Sequence, residues 1–116
     1  MTWVIWHNPR CGKSRQTLKL LEEAGLEPTV VRYLDEPPNP DELRKVLALL
    51  AMEPFDLIRR REPPVKSLGL GPSTPSEILI KAMCEHPILI ERPVVTNGLK
   101  AALGRPPESV LAIIGD

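Results

Sequence analysis

No charge of either sign dominates this chain: fifteen Lys and Arg stand against fifteen Asp and Glu, for a formal net charge of +0. That balance leaves no whole-protein field to hold nucleic acid or an anionic membrane, so neither is expected as a partner. No apolar run approaches the ~20 residues of a transmembrane helix, and the N-terminus lacks a signal-peptide pattern, so the protein is expected to be cytoplasmic. Cysteine is scarce: Cys11 and Cys84 are too few and too far apart in sequence for a disulfide framework. With only two histidines, His7 and His86, the chain also shows no metal-ligand spacing, and no metal is expected. Tandem repeats and a linker between two cores are absent as well. Residues 1–116 are therefore expected to form a single domain, long enough to bury roughly two-thirds of its unfolded surface. Proline alone is in excess, at fourteen residues, more than twice the usual share of ~5%. The prolines fall at turn and cap positions and predict stiffened connections.

Thr2–Trp6 (TWVIW) is a short β-rich run and predicts a buried strand, with Trp3 and Trp6 as packing residues. A polar loop follows, His7-Asn8-Pro9-Arg10-Cys11-Gly12. From Lys13 the spacing turns helical, with Leu18, Leu20, Leu21 and Ala24 apolar and Gly25 where a terminating glycine belongs. Thr29–Leu34 predicts a second strand, completing a β-α-β unit. Asn39, Pro40 and Glu42 then spell a capping box ahead of the stripe Leu43, Val46, Leu47 and Leu50. Phe55–Arg61 predicts a short helical turn ending in three arginines and stopped by Pro63-Pro64. Thr74, Pro75 and Glu77 repeat the cap design, with Ile78, Leu79, Ala82 and Met83 on the buried face. Asn97-Gly98 between Val94-Val95-Thr96 and Leu99–Leu103 predicts a hairpin with a type I′ turn. A last short helix is expected from Arg105-Pro106-Pro107 through Ile114. The order β-α-β, helices, β-β-α is that of an α/β thioredoxin-like core carrying a helical insertion at about residues 39–90.

Cys11 is the candidate nucleophile. It stands between a strand and a helix start, where orphan backbone N–H groups and the helix dipole favour a thiolate and could cradle an oxyanion. Arg10, Lys13, Arg15 and His7 are close in sequence and are expected to push the same way. Cys84, beside Met83 on an amphipathic helix, reads as a buried inert thiol. Gly12-Lys13-Ser14 imitates the end of a Walker A loop, but His7 holds the position of its first glycine. A phosphatase loop would need arginine at Thr17. Ser14 removes the second thiol of a C-x-x-C pair, so disulfide exchange here needs a partner's thiol.

Arginines form the second constellation. Arg59-Arg60-Arg61 follows an apolar turn, while Arg92 and Arg105 each precede a proline beside the predicted hairpin. Their planar forks suit a tetrahedral oxyanion if they converge on the thiolate. His7 is either a charge partner of Cys11 or a hydrogen-bonder ending the first strand, and His86 before Pro87 reads as a helix terminator.

His7-Asn8-Pro9-Arg10-Cys11-Gly12-Lys13-Ser14-Arg15 resembles the H-N-P-x-C-x-x-S-R signature of the glutaredoxin-dependent arsenate reductases. The resemblance continues through Glu27-Pro28, Tyr33-Leu34, Leu57-Ile58-Arg59, Leu68-Gly69-Leu70, the run from His86 to Val95, and Gly104-Arg105-Pro106. It implies a thioredoxin-like fold, Cys11 as the catalytic residue, and Arg59, Arg92 and Arg105 as binders of arsenate. His7, Ser14, Arg15 and Pro93 become supporting residues, and the Arg92–Pro93 bond is expected to be cis, facing the cysteine. The activity implied is reduction of arsenate to arsenite through a Cys11 thiolate–arsenate adduct. Glutathione would act as co-substrate and glutaredoxin as partner, with no bound cofactor. Segments Val95–Gly98 and Gly104–Pro107 are closest to short relatives of that family, which could act on another oxyanion or thiol. A second family of the same fold, the Spx-type regulators that bind RNA polymerase, is the alternative; its usual C-x-x-C switch is missing here.

Overall fold

The N-terminal apolar run forms β1 (Val4–Trp6), α1 (Gly12–Glu23) carries the chain back, and β2 (Thr29–Val31) pairs parallel with β1. These elements come from a computed structural model that describes residues 2–114. α1 ends in a Schellman motif: Gly25 takes φ +83, its N–H donates to the Glu22 carbonyl, and the Leu26 N–H donates to the Leu21 carbonyl. β2 is shorter than Thr29–Leu34, because the backbone turns at Arg32, whose carbonyl accepts from the N–H groups of Asp35 and Glu36. That turn carries Tyr33 into complete burial.

β3 (Val94–Thr96) and β4 (Ala101–Leu103) make the expected hairpin, and β3 runs antiparallel to β1. The four-stranded sheet has the order β2-β1-β3-β4. The turn is not type I′. Gly98 alone of the pair has positive φ, at +89, while the Asn97 side-chain oxygen accepts from the N–H groups of Leu99 and Lys100. This Asx arrangement spreads the connection over four residues and satisfies the backbone without a left-handed Asn97.

The β1–β3 register sets Ile5 opposite Val95. Leu21 of α1 and Val110 of the C-terminal 3-10 helix (Pro107–Ile113) close over them, and all four are fully buried. Each such side chain contributes roughly 1.5–3 kcal/mol relative to exposure. Trp3, Leu18, Leu26, Ala102 and Ile113 extend this core. The arrangement is the thioredoxin-like β-α-β/β-β-α fold. It occupies one compact unit, Met1–Glu36 with Arg92–Asp116; Pro37–Glu91 forms a second.

In the second unit, α2 (Pro40–Leu50) starts at the predicted capping box: Asn39 Oδ1 accepts the Glu42 N–H, and the Glu42 carboxylate accepts the Asn39 N–H. A 3-10 turn (Pro54–Leu57) follows, shorter than Phe55–Arg61, because Ile58 goes extended and bridges Ile90. The three arginines therefore lie beyond the turn. Pro63-Pro64 opens a helix, α3 (Pro63–Ser67), where a stop is expected, since proline fits a first helical turn. α4 (Ser76–Glu85) buries Leu79, Ile80, Ala82 and Met83 against α2. Ile78, expected inside, is 52% exposed and Ile80 takes its place. Thr74 does not cap α4: the helix starts at Ser76, one residue later than expected, so Pro75 takes the N-cap position while the Thr74 hydroxyl accepts the Gly71 N–H. Arg44 ties the exposed ends of both helices together, pairing with Asp41 of α2 and Glu77 of α4.

Candidate active site

The loop between β1 and α1 is fixed by its own polar groups. The Asn8 carbonyl accepts the Cys11 N–H at 3.0 Å, and Asn8 Oδ1 accepts the Arg10 N–H at 3.0 Å. The Asn8 N–H in turn donates to Ser14 Oγ at 3.0 Å. Ser14 is fully buried on the first turn of α1, and its hydroxyl lies 2.6 Å from His7 Nδ1. Arg15 closes the loop from outside by donating to the Pro9 carbonyl at 2.8 Å. These bonds pin a backbone segment that could otherwise sample many conformations, at the point where the cysteine must be held.

Cys11 is the N-cap of α1 and is partly exposed. Its sulfur makes no cap hydrogen bond of ordinary geometry, yet the N–H groups of Ser14 and Lys13 face it, and so does the Arg92 guanidinium. Burial pushes the thiol up. The Ser14 N–H, Arg92 and the Lys13 N–H outweigh that and hold it below its ordinary value. The cations expected to act are thus not the ones that do. Arg10, Lys13 and Arg15 are neighbours in sequence, but their side chains are exposed, and the effective guanidinium comes from Arg92, eighty-one positions along the chain.

His7 is hydrogen-bonded through both its backbone and its ring. Its N–H donates to the Val31 carbonyl, its ring is buried against Ser14, and burial together with Arg32 and Arg15 lowers its pKa below the ordinary value. A ring held neutral cannot serve as a positive partner for the thiolate.

Arg92 and Arg105 come together. Arg105 Nη1 donates to the Arg92 carbonyl at 3.3 Å, and the Gly104 N–H donates to the Pro93 carbonyl at 2.9 Å. Both Arg92–Pro93 and Arg105–Pro106 are cis, the first as expected and the second unforeseen. Gly104 itself is buried against Thr17 and Pro93, leaving no room for a β-carbon. The Gly104–Thr17 contact leaves no signal in the sequence, because only the folded chain brings the two residues together. Asn8 stands in the loop signature with no role assigned to it, although an Asn-Pro pair at a loop start is an Asx-turn signal.

Arg59 lies in the second unit. Its N–H donates to the Leu89 carbonyl, and its guanidinium pairs with Glu62 at 3.1 Å and Glu91 at 3.8 Å. Arg60 is engaged elsewhere, over the Phe55 ring and near Asp56. Cys84, in the same unit, has its thiol raised by burial, the behaviour of an inert cysteine. Among the described residues, no three His, Cys, Asp or Glu side chains gather as a metal site requires.

A family model described as the ArsC family matches residues 6–113. The arsenate reductase of Rhizobium meliloti is 49% identical over 100% of this chain and 84% of its own length. The uncharacterized protein YfgD of Escherichia coli is 50% identical over 96% of this chain and 95% of its own. A solved structure of an arsenate reductase from Vibrio cholerae, 48% identical, covers 98% of each chain with a TM-score of 0.92.

Proposed function

The chain belongs to the ArsC family, and from that premise we propose that it is an arsenate reductase whose nucleophile is the Cys11 thiolate. The observation that carries this reading is the sulfur's setting: the N-terminus of α1, facing two backbone N–H groups and the Arg92 guanidinium. Such a setting favours a thiolate and also stabilises negative charge on whatever binds beside it.

In the proposed reaction the thiolate attacks arsenic, an S–As bond forms, and one arsenate oxygen leaves as water after protonation. A glutathione thiolate then attacks the Cys11 sulfur. The S–As bond breaks with its electron pair passing to arsenic, which falls from As(V) to As(III) and departs as arsenite. The two sulfurs are left oxidised as a Cys11–glutathione disulfide. A glutaredoxin thiol reduces that disulfide and restores Cys11. Arg92 and Arg105, joined through the Arg92 carbonyl, are the binders of the arsenate oxygens, and Arg59 is the third that the family resemblance supplies. Ser14, His7, Arg15 and Pro93 position the loop and the strand start and do not touch arsenic. Because the scheme consumes glutathione, we assign it to the cytoplasm; among the described residues no helix is long and apolar enough to cross a membrane.

The test is arsenite release by the purified protein supplied with arsenate, glutathione and glutaredoxin. Omitting either thiol donor should stop multiple turnover.

A further inference from the structure

Within the first unit lies a cavity of about 290 Å³ lined by Arg10, Arg32 and Asp35, with His7, Asn8, Pro9 and Leu34 completing its wall. We propose that this cavity binds the thiol co-substrate, a peptide thiol bearing two carboxylates and one ammonium, as glutathione does. The proposal takes its choice of thiol from the reductase reading above; the site itself stands on the geometry.

Charge complementarity is the first argument. Two guanidinium groups and one carboxylate line the cavity, which matches two carboxylates and one ammonium on the ligand. The His7 ring beside them is held neutral, so it adds no charge of its own. Secondly, these charges are available. Among the described residues, the side chains of Arg10, Arg32 and Asp35 make no ion pair or hydrogen bond, whereas Arg15, Arg44, Arg59 and Arg60 each have a partner. Arg32 and Asp35 are set by the turn that follows β2, in which the Asp35 N–H donates to the Arg32 carbonyl. That short-range link fixes the spacing of a cation and an anion on one wall.

The third argument is position. Asn8-Pro9-Arg10, the segment that leads into Cys11, also lines the cavity. It is stiffened by the bonds of Asn8 to Arg10 and Cys11 and by the Arg15 bond to the Pro9 carbonyl. Cys11 itself does not line the cavity but follows Arg10 directly in the chain, and a preformed wall lowers the ordering cost of binding. Leu34, 40% exposed, offers an apolar surface for a ligand's methylene chain. The volume lies near the low end of the ~300–1,000 Å³ range of small-ligand sites, which suits a tripeptide left partly in solvent.

The probe is S-methylglutathione, which keeps every charge and cannot react. Titrated into the reduced protein, it should bind saturably and shift the backbone amide signals of Asn8, Arg10, Arg32 and Asp35. R10Q and R32Q should each weaken binding about three- to tenfold, the loss expected for one partly solvated charge-assisted contact, and D35N should weaken it less. In turnover, the same variants should raise KM for glutathione while KM for arsenate stays in place. Absence of saturable binding, shifts confined to other residues, or an affinity indifferent to R10Q and R32Q would each overturn the site. Binding of S-methylglutathione needs neither arsenate nor the thiolate. A protein that binds it here but releases no arsenite therefore removes the reductase reading and keeps the site, and one that releases arsenite while the variants bind normally does the reverse.

Discussion

Gly104 passes so close to Thr17 that a β-carbon on the glycine would collide with the Thr17 hydroxyl, and would stand 2.7 Å from Pro93 Cγ. The Thr17 hydroxyl cannot easily move aside, because it donates to the Lys13 carbonyl within α1 and its residue is fully buried. This contact seats the strand end carrying Arg105 and the strand start carrying Arg92 against the helix that Cys11 caps. Gly104→Ala should therefore cost about 1–3 kcal/mol of stability, as overpacking does, and lower Tm by roughly 4–8 °C for each kcal/mol. It should also reduce turnover beyond the loss of folded protein. Denaturant unfolding and activity measured on the same preparation check both.

The thiol should ionise below the ordinary cysteine value. Alkylation at Cys11 should rise with pH through a midpoint under the ~8.5 of a free cysteine, and Arg92→Gln should move that midpoint upward by removing a charge that favours the thiolate. A depressed pKa contributes stability that is present above the unfolded value and lost as pH falls through the folded one. The midpoint is read by mass spectrometry of iodoacetamide-labelled peptide against pH.

His7 is also held in its deprotonated form, which for a ring is the neutral one. Its ring is stabilised neutral, so an unfolded chain binds the proton more readily than the folded protein does. Stability contributed by His7 should be complete above the ordinary histidine value of ~6.5 and should decline as pH falls below it. Ser14→Ala, which strips the buried partner from His7 and from the Asn8 N–H, should cost about 1–3 kcal/mol. Urea unfolding at a series of pH values reads both effects.

Arg92→Lys and Arg105→Lys should each raise KM for arsenate about ten- to a hundredfold, since an ammonium keeps the charge and loses the bidentate fork. Arg59→Lys should act in the same direction. Arg60, committed to Phe55 and Asp56, is not available to replace Arg59, so Arg60→Lys should change arsenate handling little. Steady-state kinetics with varied arsenate separates these cases.

The parts of this molecule written in short-range chemistry were legible in its sequence. The Asn39–Glu42 capping box, the glycine stop at Gly25, the hairpin around Asn97-Gly98 and the cysteine at a helix start each depend on residues within a few positions of one another. The structure departs from the sequence pattern where a helix starts one residue later, as at Thr74-Pro75, or where proline could either begin or end a helix, as at Pro63. The electrostatics of Cys11 were misassigned for a different reason. Proximity in sequence pointed to Arg10, Lys13 and Arg15, but a helix start directs those long side chains to solvent, while the sheet order β2-β1-β3-β4 brings the start of β3, with Arg92, beside the end of β1. The motif containing Arg92-Pro93 carried that information only through family resemblance.

Covalent capture at a single sulfur is the centre of the account, and Cys11→Ser set beside Cys84→Ser tests it most directly. Each protein is given arsenate, glutathione and glutaredoxin, arsenite is counted, and the protein is then trapped without glutaredoxin and weighed intact. The account predicts that wild type and Cys84→Ser release arsenite at similar rates and accumulate one glutathione on Cys11, whereas Cys11→Ser, folded normally, releases none and gains no mass. Arsenite production surviving in Cys11→Ser, or lost in a folded Cys84→Ser, would contradict it.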